Sequence, residues 1–230
     1  MDYTESRVDC KHPCKHTATV EQIENHTEKV RKGEVVCNLP PCPVCESEPQ
    51  WFKRHEKRGR QFYVIVDQIV KTVLGLLMRW KCPGCDKTFT AYPDFALPYK
   101  RYTLPTIMAY CGGYTENDRA TYRDLVQKSP LGYRDDEKQL DHTTVFRWTG
   151  TLGGFAGILA KAQDLIIQAK PMSTICRDLA NLSVNPKKYR SDARTQALSR
   201  CRRILGAETI FQSVFGISIF PNLATGCRYG

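Results

Sequence analysis

Hydrophobic and polar residues are patterned differently in the two halves of the chain. Between residues 61 and 81, the segments QFYVIVD and VKTVLGLLMRWK are rich in β-branched and aromatic residues, which predicts two strands. From Pro105 onward, apolar residues recur at helical spacing, and glycine or proline stands at the segment ends. The pattern predicts an α+β fold, in which a small β-rich unit precedes a mainly α-helical domain and C-terminal helices.

The first part of the helical region predicts two helices. LPTIMAYCGG, residues 104–113, has a proline near its start and a glycine pair at its end. TENDRATYRDLVQKSP, residues 115–130, is predicted to be capped by Thr115 or Asn117 and to end at Pro130. Its core-facing residues are expected to be Ala120, Leu125 and Val126.

The segment LDHTTVFRWTGTLGG predicts a third helix with an informative surface. Asp141 is a natural N-cap, and helical spacing gives an inner face of Val145, Trp148 and Leu152. Short polar side chains, followed one turn later by a basic residue, are typical of a helix that enters the DNA major groove. An ordinary amphipathic helix fits the same spacing equally well. The outer positions concerned are His142, Thr143, Thr144 and Arg147.

The cysteines indicate a metal site. The N-terminus lacks an apolar export segment and no apolar run is long enough to span a bilayer, so we expect a cytoplasmic protein that does not enter membranes. In a reducing compartment, eleven cysteines favour metal ligands or buried thiols over disulfides. Two C-x-x-C pairs provide the four thiolates of a structural zinc site. They are Cys42 with Cys45 and Cys82 with Cys85.

Strand-rich sequence between two such pairs is typical of a zinc ribbon, which we place at residues 37–103. The 36 residues between Cys45 and Cys82 exceed the usual interval of about 15–20, which implies a long hairpin or an insertion. Residues 1–36 are expected to form a flexible arm. A second metal site there is the alternative, and its ligands would be Cys10, His12, Cys14 and His16.

The net charge of +10 favours an anionic partner, with nucleic acid first. Residues 37–110 hold 11 basic and 6 acidic residues, and residues 151–230 hold 11 and 4, so both segments are basic. We expect contacts with double-stranded DNA from both, although a solvated turn and a solvated helix surface are the alternatives. The candidate contacts are Arg54, Lys57, Arg58, Lys100, Arg101, Arg200, Arg202 and Arg203.

The string TYRDLV followed by LDHTTVFRW resembles the helix-turn-helix of bacterial insertion-sequence transposases. The cysteine pairs with the trailing PDFALPYKRY are similar to zinc-binding domains found ahead of that motif. The resemblance covers residues 37–153 and implies a helix-turn-helix domain at 104–154, followed by a helical region at 155–230. One departure is the segment 128–140, which is far longer than a turn of three or four residues. Either DDEKQL is the true first helix or an insertion separates the pair.

The resemblance also implies a nuclease domain, which needs three separated carboxylates around metal ions in a mixed sheet. The sequence after Gly150 is helical in pattern and contains only four acids, Asp164, Asp178, Asp192 and Glu208. We therefore expect no enzyme but a zinc-dependent, sequence-specific DNA-binding protein, transposase-derived, with a targeting, regulatory or accessory role. Alternatively, it is the DNA-binding subunit of a transposase with catalysis on a partner protein, or its ribbon binds protein or RNA. A homo-oligomer is compatible with each of these.

Overall fold

The computed structural model describes residues 14–66, 69–126, 138–171 and 174–222, and within these ranges the fold is α+β, as predicted. The described elements are α1 (Cys14–Lys32), β1 (Lys53–Val66), β2 (Ile69–Lys81), β3 (Thr88–Ala91), α2 (Leu104–Glu116), α3 (Tyr122–Leu125), α4 (His142–Gly153), α5 (Ala156–Ala169), α6 (Ile175–Asn181), α7 (Asp192–Phe215) and α8 (Ile219–Asn222). A short 3-10 turn, Pro49–Trp51, precedes β1.

The strands form one antiparallel sheet in the order β1-β2-β3. The β1–β2 hairpin runs from the Lys53–Lys81 pair to the Val66–Ile69 pair, with a bulge near Arg54. Both predicted strands are confirmed, and β1 also includes the basic run that precedes the apolar one. The hairpin accounts for the long interval between the two cysteine pairs, because it carries the chain out from the first pair and back to the second.

Helix α1 lies along the edge of β2 that β3 leaves unpaired. The hydroxyl oxygen of Thr27 accepts a hydrogen bond from the backbone N–H of Leu76 at 3.2 Å, and Ile23 and Val30 are fully buried. Gly75 permits this approach, since a Cβ there would lie 3.0 Å from the Ile23 side chain. The flexible arm expected for residues 1–36 is thus a packed helix over Cys14–Lys32. Its signal is the spacing of Ile23, Thr27 and Val30 on one helical face.

The hairpin and the helices share one hydrophobic core. Ile65 and Val70, near the far end of the hairpin, belong to the same buried cluster as Leu104 of α2 and Trp148 of α4. The connector after β3 continues this contact, since the backbone N–H of Thr103 donates to the carbonyl of Tyr63. The boundary expected at residue 103 is therefore not a break in packing.

Helix α2 is longer than predicted and α3 is shorter. The glycine pair at 112–113 does not end α2, which continues to Glu116. The cap of α3 is Thr121, not Thr115 or Asn117, because the Thr121 hydroxyl and the Asp124 carboxylate each accept the other's backbone N–H. The hydroxyl of Thr115 instead donates to a carbonyl within α2. As predicted, the helix is held through its apolar residues: Ala120 is buried, and Leu125 and Val126 pack against the core.

The segment between α3 and α4 is described only at its end. Residues 127–137, which include the first half of DDEKQL, lie outside the described residues. Lys138, Gln139 and Leu140 are not helical, and Gln139 forms a β-bridge with Ile69 at the far end of the hairpin. The described end of DDEKQL therefore differs from the first-helix interpretation.

Gly153 lies at a very close crossing of α4 and α7. A Cβ at this position would be 2.1 Å from the carbonyl oxygen of Ala197. Gly153→Ala is expected to push the helices apart and to lower the free energy of unfolding by about 1–3 kcal/mol. The control is Gly157→Ala in α5, where no atom lies within 4 Å of the new methyl group. It should be neutral or up to about 1 kcal/mol stabilising. Denaturant unfolding followed by circular dichroism measures both, and equal stability of the two variants would contradict this crossing.

Candidate metal centre and basic surface

The four predicted cysteine ligands meet at one point. The sulfur atoms of Cys42, Cys45, Cys82 and Cys85 all lie within 4.8 Å of one another. The Cys42–Cys85 and Cys45–Cys82 sulfur pairs are separated by 3.5 Å and 3.4 Å. A tetrahedral zinc–thiolate centre with bonds of about 2.3 Å needs sulfurs about 3.8 Å apart. The cluster therefore fits a metal ion such as zinc after small adjustments of the cysteine side chains.

Two turns of matching geometry position these thiols. In the first, the N–H of Cys42 donates to the carbonyl of Ser47 and the N–H of Glu46 donates to the carbonyl of Cys42. Cys82 and Asp86 repeat the pattern in the second turn. The residue after each C-x-x-C pair, Glu46 or Asp86, has a φ of 59°, the left-handed region that tight turns require. The two turns thus present their cysteine pairs in the same way, and the hairpin brings the pairs together.

The surroundings favour some thiolates and oppose others. Burial opposes ionisation of Cys82, but the N–H groups of Cys85 and Gly84, with hydrogen bonds from Cys45 and Ser47, lower its pKa to about 6. At Cys85 a backbone N–H favours ionisation, but burial and the neighbouring sulfurs raise its pKa to about 12. Four thiolates this close repel one another, so a cation at the centre is what allows all of them to be ionised.

Other cysteines lie apart from this cluster. Cys37 is half-buried and packs near the same small core, and it is not one of the four. Cys111 and Cys201 are fully buried in the helical core. Cys10 and His12 lie outside the described residues, and Cys14 and His16 belong to α1 in a part whose side chains are not described. The alternative of a second metal site at the N-terminus therefore stays untested.

The orientation of α4 is as predicted. The Asp141 carboxylate accepts a hydrogen bond from the N–H of Thr143 at 2.7 Å, and the predicted inner face, Val145, Trp148 and Leu152, is buried. Thr143 and Arg147 are exposed, and His142 and Thr144 are half-buried. The Thr143 hydroxyl also donates to Asp141, so this side chain offers its methyl group and an acceptor oxygen outward. The Arg147 guanidinium makes no hydrogen bond or ion pair with any described residue.

Two residues of this surface were not predicted from the sequence. Phe146 is 48 % exposed, beside Arg147. The guanidinium of Arg194, from α7, stacks over its ring at 4.0 Å from the centroid. Arg194 also donates to the hydroxyls of Thr149 and Tyr122, and it thereby fastens α7 to α4 and α3. The exposed Thr143, Phe146 and Arg147 follow helical spacing, which was a usable signal, whereas no local pattern marks Arg194.

The three arginines expected to contact DNA from α7 bind the protein itself. Arg200 donates to the carbonyl of Gly153 at 2.7 Å. Arg202 and Arg203 donate to the carbonyls of Ser183 and Leu182 at 2.7 and 2.9 Å. All three are half-buried. These contacts hold α7 against its neighbours, which neither the expected DNA contact nor the alternative of a solvated surface included, although an arginine has further N–H donors for a second partner.

The basic residues of the hairpin divide into two groups. Arg54 points to the segment after α1, with its guanidinium 3.5 Å from the carbonyl of Val35 and over the ring of Trp80. Lys57 donates to the carbonyl of Arg31 at 2.9 Å, at the end of α1. Arg58 is exposed and makes no hydrogen bond or ion pair with a described residue. Of the three predicted DNA contacts in the hairpin, Arg54 and Lys57 thus bind the end of α1 and the segment after it. Arg58 has no such partner among the described residues.

The connector carries the last two predicted contacts. Lys100 is half-buried, with its amine 3.4 Å from the hydroxyl of Thr151 in α4. Arg101 is exposed and donates to the hydroxyl of Tyr63 at 2.8 Å. This hydrogen bond, with the positive charges of Lys138 and Arg101, lowers the pKa of Tyr63. Two cationic side chains, Arg101 and Lys138, therefore stand beside Tyr63.

None of the described helices is both long and apolar enough to cross a membrane. No curated protein and no solved structure matches the chain. One family model matches residues 42–129, described as "Domain of unknown function (DUF6431)". The matched segment begins at the first cysteine of the metal cluster and includes the whole sheet, α2 and α3. Over that segment, which is less than half of the chain, the protein is similar to this family of unknown function.

Proposed function

We propose that the protein is a zinc-dependent, sequence-specific DNA-binding protein in which a zinc ribbon supports a helix-turn-helix made by α3 and α4. The observation that best supports this proposal is the orientation of α4. Its buried side packs against α2, α3 and α7, while its N-terminal turns expose Thr143, Phe146 and Arg147. Such a rigidly held helix with polar and basic groups at its N-terminal end suits base reading in the major groove.

Zinc would be held by Cys42, Cys45, Cys82 and Cys85, and its contribution there would be structural. All four positions are taken by protein thiolates, so the ion would have no open coordination site for a substrate. The small sheet has little core of its own. By linking the segment before β1 to the segment after β2, the ion would supply part of the stability that such a core would give. The two cysteine turns would then present the hairpin as one rigid unit to the helices.

The transposase-derived origin proposed for this protein rests on the resemblance of TYRDLV and LDHTTVFRW, and the role would be targeting, regulatory or accessory. Two of the four C-terminal acids have local structural contacts. Asp178 accepts from the Thr174 hydroxyl. Glu208 is buried and accepts from the N–H of Ile219 at 2.7 Å, at the start of α8. In a complex that cuts DNA, the catalytic carboxylates would therefore come from a partner protein.

The test is selection of bound sequences from random duplex DNA, followed by titration of the preferred and a scrambled site. Thr144→Ala and Arg147→Ala should each reduce the affinity ratio of the two sites by about 5- to 150-fold, the effect of one lost base contact. Non-specific affinity should fall slightly for Arg147→Ala and remain unchanged for Thr144→Ala.

The matched control is Lys161→Ala, which removes one exposed charge from α5. It should leave the affinity ratio unchanged. Full selectivity in the Arg147 and Thr144 variants, or a wild-type protein without sequence preference at moderate salt, would overturn the proposal.

A second candidate is a protein-interaction role of the zinc-ribbon region. Three large apolar side chains near the first cysteine turn are exposed: Val36 by 78 %, Val44 by 59 % and Trp51 by 66 %. Exposed apolar groups of this kind often mark a protein contact. If the Thr144 and Arg147 variants keep the protein's full function in cells while Trp51→Ala abolishes that function, the protein-interaction role is favoured over sequence-specific DNA binding.

A further inference from the structure

A cleft of about 440 Å³ lies between the β1–β2 hairpin and the connector that follows β3. This volume is within the range of about 300–1,000 Å³ that small-molecule pockets usually have. Three arginines and two tyrosines dominate its lining, and none of the described residues that line it is acidic. These five residues are Arg58, Arg60, Tyr92, Tyr99 and Arg101.

One arginine shapes this cleft. Arg60 donates to the carbonyl of Lys100 at 2.6 Å, and its guanidinium lies 5.1 Å from the ring centroid of Tyr92 and 5.5 Å from that of Phe62. These contacts hold the connector against the hairpin. Arg60 therefore fixes the distance between the two walls, and its charge adds to the positive potential inside.

The other two arginines keep donors for a ligand. Arg58 has no hydrogen bond or ion pair with a described residue. Arg101 gives one N–H to the hydroxyl of Tyr63, and a guanidinium has five N–H donors in all. Arg101 is also held in place by the Tyr63 ring, 5.7 Å from its centroid. Two guanidinium groups with donors to spare thus line the same cleft, one from β1 and one from the connector, and guanidinium donors suit a phosphate group.

An exposed aromatic ring stands beside these guanidinium groups. Tyr99 is 80 % exposed and has a φ of 63°, a backbone conformation that a tyrosine seldom adopts. Tyrosine rings of this kind provide a surface on which a nucleic-acid base can stack, whatever its sequence. The lining of one cleft therefore combines two guanidinium groups suited to phosphate with a surface suited to base stacking.

We propose that this cleft binds one nucleotide of an unpaired DNA strand, with its phosphate between Arg58 and Arg101 and its base stacked on Tyr99. The site is separate from the exposed face of α4 and does not depend on duplex reading there. Base stacking on Tyr99 requires an unpaired base, because in a duplex both faces of each base are already stacked on neighbours. A DNA-binding protein with both sites would hold a duplex and an adjoining single strand at the same time.

The test measures binding of a short, fluorescently labelled oligothymidine by the full chain. Tyr99→Gly should weaken binding about 5- to 150-fold, the effect of losing one base stack. This variant keeps the backbone, because glycine adopts a positive φ without strain. Tyr99→Phe should retain nearly full affinity, because the ring remains. Arg58→Ala should weaken binding and reduce the salt slope by about 0.7, as expected for one phosphate contact on a single strand.

Two controls distinguish binding in the cleft from non-specific electrostatic attraction and from binding by α4. Lys71→Ala removes one exposed charge from the same hairpin outside the cleft and should change affinity little. Arg147→Ala should leave oligothymidine binding unchanged even if it abolishes duplex selectivity, so the two proposals fail independently. Competition by free thymidine monophosphate would show that the cleft takes a single nucleotide, and its absence that a strand is needed. Equal affinity of Tyr99→Gly and wild type, or equal losses for Lys71→Ala and Arg58→Ala, would overturn the proposal.

Discussion

Cys82→Ser is expected to unfold the sheet and to abolish stoichiometric metal binding. Cys82 is fully buried and is one of the four sulfurs of the cluster. Serine is a poor zinc ligand, and the three remaining cysteines would not complete a tetrahedral site. Structural zinc contributes about 10–16 kcal/mol to the folding of small zinc domains, which exceeds the whole stability of most domains. The variant should therefore lose the sheet rather than only a contact.

Elemental analysis of protein purified without chelator measures the zinc content, and circular dichroism and hydrogen exchange of β1 and β2 measure the sheet. The matched control is Cys37→Ser, which changes a half-buried cysteine outside the cluster in the same small core. It should retain one zinc ion and the sheet. Wild-type protein without stoichiometric zinc would show that the four cysteines are a thiol cluster and no metal site. A Cys82 variant that keeps both the zinc and the sheet would show that Cys82 is not an essential ligand.

The small core around the cysteines explains why loss of the metal ion should also unfold the sheet. Its buried members include Val30 of α1, Leu39, Phe52, Met78 and Trp80, which surround Cys42 and Cys82. Most of these residues come from segments that meet only because the cysteine turns fix the ends of the hairpin. Without the ion, this small cluster alone would have to hold the cysteine turns together, and a core of so few residues does so poorly.

Much of this structure could be predicted from short stretches of sequence. The cysteine pairs, the two long strands and the Asp141-capped helix each depend on residues close together in the chain, and all lie where the pattern indicated. The inner face of α4 is the clearest case, since Val145, Trp148 and Leu152 are all buried as expected. Local spacing fixes such features, because a helix or strand has a regular period.

The rest depended on partners far apart in sequence. Helix α1 contains few apolar residues, and its packing against β2 becomes visible only when the unpaired strand edge is known. The arginines of α7 were expected to face DNA because they form a basic flank, yet Arg200 donates to the carbonyl of Gly153, 47 residues away. A charge pattern identifies a polar side of a helix but does not distinguish solvent from a neighbour's carbonyl groups. The cleft with Arg58 and Arg101 was likewise hidden, because its walls meet only after the connector folds back.

Trp148→Ala is expected to lower the free energy of unfolding of the helical region by about 3–5 kcal/mol, the usual cost of removing a large aromatic side chain from a core. Trp148 is 3 % exposed. Its ring meets Tyr102 edge to face, with the centroids 4.8 Å apart, and Tyr110 of α2 at 6.3 Å. It therefore joins α4 both to α2 and to the connector that bridges β1.

The matched control is Trp51→Ala, which makes the same change where the ring is 66 % exposed, and it should cost no more than about 0.5 kcal/mol. Denaturant unfolding followed by circular dichroism compares the two without depending on tryptophan fluorescence. If both variants lose similarly little stability, α4 is only loosely held. A helix that reads DNA bases must be held rigidly, so this result would contradict the proposed function. Arg147 and Trp148 are neighbours on opposite sides of α4, so Arg147→Ala should lose DNA selectivity at full stability. Trp148→Ala should lose stability first, and its DNA selectivity should return under conditions that keep it folded.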